Sequence, residues 1–277
     1  MHHAATPLPA YHTSLGLSYL HAGEYGPPVV MLHGWGAFKE LWWSTLRRLG
    51  RDHRCFALDL PGHGGSPLGQ AATLAALAQR VAAFCDDMGL QAITLLGHSM
   101  GGAVAVELAL ARPDLVAQLV LVDAAVDAHL MPFFARIYML PGWGWVLLRC
   151  TQALGRALRP LTTRVPHEHG GGWLRPWMRR NAYLATFEPE GLHRIYRSLF
   201  ATRAGPRLAQ LRMPTLVISG QLDSLVPAAH SRRLAQRIAG ARYVEIFGAL
   251  HNPMDERPAA FEKVIRSLWA EDATRRA

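Results

Sequence analysis

Ser99 lies in Gly97-His98-Ser99-Met100-Gly101, a G-x-S-x-G pattern whose chemistry is attack by a hydroxyl presented on a tight turn. Glycine two residues to either side suits such a turn, because side chains there would keep the chain from closing around a strained serine. A serine hydroxyl needs a base to take its proton, and the base needs a carboxylate to fix its tautomer. His251, in Gly248-Ala249-Leu250-His251-Asn252-Pro253, follows the last apolar strand run and is the candidate base. Asp223, in Gly220-Gln221-Leu222-Asp223, follows the run before it and is the candidate acid. Asp123, at the end of an earlier run, is the alternative acid. His63 precedes the serine in the chain and is assigned a structural or pocket role. A developing oxyanion needs two backbone N–H donors. Met100, directly after the serine, and Trp35, in His33-Gly34-Trp35-Gly36, are the candidates, with His33 structural.

These residues have to be carried to one place by alternating elements. Pro28 to Leu32, Cys55 to Leu60, Ala92 to Leu96, Gln118 to Val122, Thr215 to Ser219 and Tyr243 to Phe247 are short apolar, β-branched runs, read as strands covered on both faces. Between them, Leu74, Leu77, Val81, Phe84 and Met88 repeat at helical spacing behind a Thr73 N-cap. A second helix runs from Met100 to Arg112, before Pro113. A last one begins at Pro258 and places Phe261, Val264, Ile265 and Leu268 on one face. The fold class is therefore α/β, a mostly parallel sheet flanked by helices. Its rhythm breaks once: residues 124–208 separate two late strands and read as an inserted, mainly helical cap on a core of 1–123 and 209–277. Every candidate sits at a strand's carboxyl end or in the loop after it, the edge where open α/β sheets bind ligands.

Composition narrows the class. The 277 residues are 50% hydrophobic and 18% charged, enough for a real core. No run approaches the ~18 to 20 apolar residues of a membrane span. The N-terminus does not read as a secretory signal, so the expected location is cytoplasmic. Cys55, Cys85 and Cys150, odd in number and without a CxxC pair, argue against disulfides and zinc and are expected to be buried thiols. The net charge of +9 is concentrated in 124–208, which holds twelve Arg against Asp127, Glu168, Glu188 and Glu190. His167-Glu168-His169 invites a metal reading, but three ligands in a Gly-rich loop without a fourth make solvated side chains the better one. No nucleotide-binding or nucleic-acid-binding pattern is present. No cofactor is expected.

HGWG, DLPGHGGS, GHSMGG, GQLDSLVP and GALHNPMDERP, in that order, resemble the α/β-hydrolase fold superfamily over residues 28–123 and 210–270. Within it, the HGWG loop and the cap insertion resemble the serine carboxylesterase and lipase-like branch that includes pimeloyl-carrier-protein methyl ester esterases. The resemblance implies a serine hydrolase that cleaves carboxylic esters through Ser99, His251 and Asp223, with Trp35 and Met100 at the oxyanion. Haloalkane dehalogenases and epoxide hydrolases carry Asp where Ser99 stands, and proline iminopeptidases carry HGGPG in place of HGWG. Carbon–carbon bond hydrolases and perhydrolases share the triad, and a non-turnover receptor with a hydrolase pocket is a third reading. The partner expected is a small-molecule or lipid-like ester with an apolar acyl group. An anionic carrier or membrane surface fits the basic cap, where Met131 to Leu148 is rich in Phe and Trp.

Overall fold

Pro28–Leu32 (β3) has no polar side chain, because alternate residues enter different cores. Val30 and Leu32 pack with Leu77, Val81 and Phe84 on one side of the sheet, and Val29 and Met31 with Trp42, Leu46 and Phe261 on the other. The remaining strands are β1 Ala10–His12, β2 Ser18–Ala22, β4 Arg54–Leu58, β5 Ile93–His98, β6 Val116–Val122, β7 Thr215–Gly220 and β8 Arg242–Ile246. They form one sheet in the order β1-β2-β4-β3-β5-β6-β7-β8. From β4 to β8 the neighbours are parallel, while β1 and β2 add an antiparallel edge. The structure is a computed structural model that describes residues 8–140, 142–162, 184 and 186–276.

Helices cover both faces. Helix α1 is Trp43–Leu49, α2 Leu74–Asp87 and α3 Met100–Ala111. The Thr73 hydroxyl caps α2 by accepting the Ala76 N–H at 3.2 Å. Between β6 and β7, among the described residues, come α4, Gly144–Thr162, and α5, Pro189–Ala201, with three short 3₁₀ turns. The chain ends with α6 Ala228–Gln236, α7 Pro253–Glu256 and α8 Pro258–Arg276. Phe261, Ile265 and Leu268 of α8 are buried as their spacing requires, on the same face as α1.

Two expectations need correction. The sheet gains β1 and β2, which the sequence reading did not include. Ser18–Ala22 mixes Ser, Tyr and His with two apolar residues, and Ala10–His12 is an exposed edge, so neither shows the apolar run of a buried strand. Cys55 and Cys85 are buried thiols, pushed up to about 12 chiefly by burial, but Cys150 is exposed. Helix α4 turns Leu148 and Gln152 inward, and Cys150 falls on its outer face. Among the described residues, no helix is long and apolar enough to cross a membrane. His167-Glu168-His169 and the Trp173 to Arg180 stretch lie outside the described residues.

Candidate active site

Ser99 follows β5 and opens α3 with φ 53° and ψ −118°, a left-handed backbone that a non-glycine residue adopts only at a cost. The flanking glycines make it feasible. A Cβ on Gly97 would run into the Gly101 backbone, and one on Gly101 would stand 2.5 Å from the Leu32 carbonyl oxygen. The turn is tied to β6 by the Ser99 N–H, which donates to the Val122 carbonyl at 2.9 Å. Met100 is the first residue of α3, where backbone N–H groups have no partner within the helix.

The two later loops converge beside it. Asp223, 5% exposed, accepts the Leu225 and Val226 N–H groups through Oδ1 at 2.8 and 3.1 Å. Its Oδ2 lies 2.7 Å from His251 Nδ1. Burial pushes the Asp223 carboxyl up, but the charge and hydrogen bond of His251, with the two backbone donors, outweigh it and hold the group below the usual carboxylate range. The bond to Asp223 makes Nδ1 the protonated nitrogen of a neutral His251 and leaves Nε2 as its basic atom. Ser99 and His251 line the same cleft.

The HGWG loop is fixed from beneath. His33 Nδ1–H donates to the Gly34 carbonyl at 2.8 Å, and Nε2 accepts the Leu60 N–H at 3.0 Å. Both ring nitrogens are occupied, so His33 is structural, as its sequence position suggested. Asp59 gathers the Lys39 ammonium at 2.7 Å and the Lys39 and Gly65 N–H groups at 2.8 Å each. His63 is fully buried against His33 and Phe187. Burial and the neighbouring His33 push it down to about 3, so it stays neutral and outside the cleft lining. Trp35 lines the cleft and donates its indole N–H to the Leu192 carbonyl of α5 at 2.9 Å. Its ring packs on Tyr138 and Tyr196 at 5.3 and 4.7 Å.

Sequence reasoning missed two kinds of contributor. His98, the variable residue of the serine motif, holds the carbonyl of His251 with its Nε2 at 2.7 Å. Tyr196, Leu199 and Phe200 of α5 line the cleft; their helical spacing was legible, but nothing in it points to a pocket. The alternative acid, Asp123, is not remote: an oxygen of Asp123, an oxygen of Asp223 and a ring nitrogen of His251 lie within 4.8 Å of one another. Such a cluster has ligand types suited to a cation, but His251 Nδ1 is already occupied by Asp223 and the groups sit in the pattern of an acid–base pair.

The alpha/beta hydrolase fold family matches residues 27–258. A pimeloyl-[acyl-carrier protein] methyl ester esterase of Aeromonas salmonicida is 31% identical over 250 residues, covering 87% of this chain and 94% of that protein. Its counterpart in Aeromonas hydrophila is 32% identical over 255 residues, with the same coverage. The crystal structure of a hydrolase from Pseudomonas aeruginosa superposes with a TM-score of 0.74 at 27% identity, over 96% of this chain and 99% of that one. With the fold and these relatives in agreement, the chain belongs to the α/β-hydrolase fold family and is a carboxylic ester hydrolase.

Proposed function

We propose that Ser99 is the nucleophile, His251 the base and Asp223 the acid of an esterase that works through an acyl-enzyme. The 2.7 Å contact between His251 Nδ1 and Asp223, in a cleft His251 shares with Ser99, carries this reading. Ser99 Oγ attacks the ester carbonyl carbon while His251 Nε2 takes its proton. The carbonyl oxygen becomes an oxyanion held by the Trp35 and Met100 N–H groups. Collapse breaks the bond to the alkoxy group, which leaves as an alcohol with the proton from His251. Water then attacks the acyl-enzyme, giving its proton to His251, and Ser99 departs with that proton as the acid product forms. Asp223 keeps the imidazole tautomer throughout and stabilises the transient imidazolium.

The acyl side is apolar. Met131, Phe134, Ile137, Leu199, Phe200 and Leu225 line the cleft, and among the described lining residues none carries a fixed charge. Residues 124–208 act as the cap that sets acyl length, since α5 and the 3₁₀ turns before α4 supply most of these side chains. The relatives' names join a methyl ester to an acyl carrier protein, and an ester presented by an anionic body, carrier or membrane surface, fits the basic cap. Eight of the twelve exposed large apolar side chains among the described residues fall between Leu130 and Leu154, with Phe133 73% and Trp143 67% exposed. Arg149 lies over the Trp145 ring at 5.3 Å. The proposed location is the cytoplasm, with the protein meeting such surfaces from that side.

The test is a panel of p-nitrophenyl esters of graded acyl length, run beside diketones. Turnover of the esters with kcat/KM rising with chain length supports the reading. Cleavage of diketones with no ester turnover would move the chemistry to carbon–carbon hydrolysis, and binding without turnover to a receptor.

A further inference from the structure

Asp123 is the residue after β6, fully buried and held at φ 41°. A non-glycine residue in that region is strained, and ester cleavage by Ser99, His251 and Asp223 makes no use of it. Its N–H donates to the Ile218 carbonyl at 2.9 Å, and its two oxygens lie 3.0 and 3.2 Å from the Gly220 N–H. The strained backbone thus points a carboxyl at the acid of the triad, within 4.8 Å.

Two carboxylates this close in a buried site do not both ionise near neutrality. Their partners decide which one does. Asp223 has two backbone donors and the His251 imidazole, whereas Asp123 has one backbone donor, Gly220, and the neutral Ser219 hydroxyl. Around the pair stand Ser219 at the end of β7, His251 in the loop after β8, and His98 and Ser99 at the end of β5. The two histidines are the groups there that can take a positive charge. His251 is bonded to Asp223, and His98 faces the His251 carbonyl. In keeping with this, burial and the Asp223 charge push Asp123 well above the usual carboxylate range.

We infer that Asp123 is a neutral carboxylic acid in the working enzyme and a positioning residue, whose O–H donates to the Asp223 carboxylate without adding a second negative charge beside His251. The inference rests on Asp223 being the acid of the triad. A second charge would make His251 retain its proton to higher pH and shrink the range in which it is a base. The neutral acid steers Asp223 and spares the base.

The test compares Asp123→Asn, which keeps size and a donor, with Asp123→Ala, which removes the donor, on a soluble p-nitrophenyl ester. In Asp123→Ala kcat should fall roughly 10-fold, the size of one lost hydrogen bond, with KM little changed. Asn should restore most of that loss and leave the acid limb of the pH–rate profile where wild type has it. A second readout needs no activity. In the unfolded chain Asp123 ionises near the ordinary ~3.9, but in the fold it stays protonated. The native state therefore binds more protons, and the Tm of wild type relative to Asp123→Asn should fall as pH rises from about 4 toward neutrality.

An acid limb displaced by about one unit to lower pH in Asp123→Asn would mean a charged Asp123 and overturn the inference. So would a wild-type Tm that gains on the variant as pH rises. Equal kcat for Asn and Ala would mean that Asp123 donates nothing. A failure of the triad assignment itself looks different: Asp223→Asn would stay active while Asp123→Asn loses ~10³-fold or more.

Discussion

The loops at the carboxyl edge of the sheet and the described part of the proposed cap between β6 and β7 are built in opposite ways. At the edge, Ser99, Asp123 and Asp223 are buried, the first two tied by hydrogen bonds to neighbouring strands and Asp223 by the Leu225 and Val226 N–H groups of its own loop, so each side chain has one place to be. In the cap, α4 presents Trp145, Val146 and Leu154 to solvent. Its Gln152 ties it to the chain ahead of α5, the side-chain amide reaching the Leu184 and Phe187 carbonyls at 2.9 Å. On the proposed function this is a division of labour, in which the edge fixes the reaction and the cap chooses what reaches it. Trp35 joins the two, lining the cleft with Ser99 while its indole is bonded to α5.

If the edge carries the chemistry, its substitutions should dominate every other effect. Ser99→Ala should lower kcat on a p-nitrophenyl ester by on the order of 10⁶ and leave the circular dichroism spectrum unchanged. Retention of a tenth of wild-type activity would break the comparison at its strongest point. Asp223→Asn comes next, at roughly 10³ to 10⁴ in kcat through the wrong imidazole tautomer, and a loss under tenfold would remove Asp223 from the acid's role. Gly97→Ala tests the frame rather than the chemistry. Its Cβ would strike the Gly101 backbone, so thermal or urea denaturation should show a loss of about 1–3 kcal/mol. The smallest effects belong to the cap. Arg149→Glu should raise KM severalfold for an ester on an anionic carrier or vesicle at low salt and barely change KM for a small neutral ester. Equal responses of the two substrates would reduce the cap's arginines to a solvated face.

The difference between the regions also governs what could be read in the sequence. Ser99, Asp223 and His251 were legible because a strained serine turn demands glycine at 97 and 101, and because loops after successive parallel strands must fall on one edge. Strands β3 to β8 were legible from apolar runs, with ends displaced by one or two residues; Phe247, placed in a strand by its neighbours, lies just past β8 and is 82% exposed. The cap was visible as an interruption. Its contribution to the cleft was not, because Tyr196 and Phe200 carry the same helical spacing whether they face a pocket or a core. His98 was hidden for another reason: its role depends on a distance across the chain, to a carbonyl 153 residues away. Asp123 was named as an alternative acid, but its closeness to the carboxyl on the next loop depends on a distance of the same kind.

Covalent labelling tests the central claim most directly. A fluorophosphonate reacts with a serine only where a base has activated its hydroxyl, and peptide mapping by mass spectrometry finds the site. The account predicts one adduct per chain, on the peptide that contains Ser99, absent in Ser99→Ala and sharply reduced in His251→Ala. An adduct on any other serine, or undiminished labelling of Ser99 in His251→Ala, would contradict it.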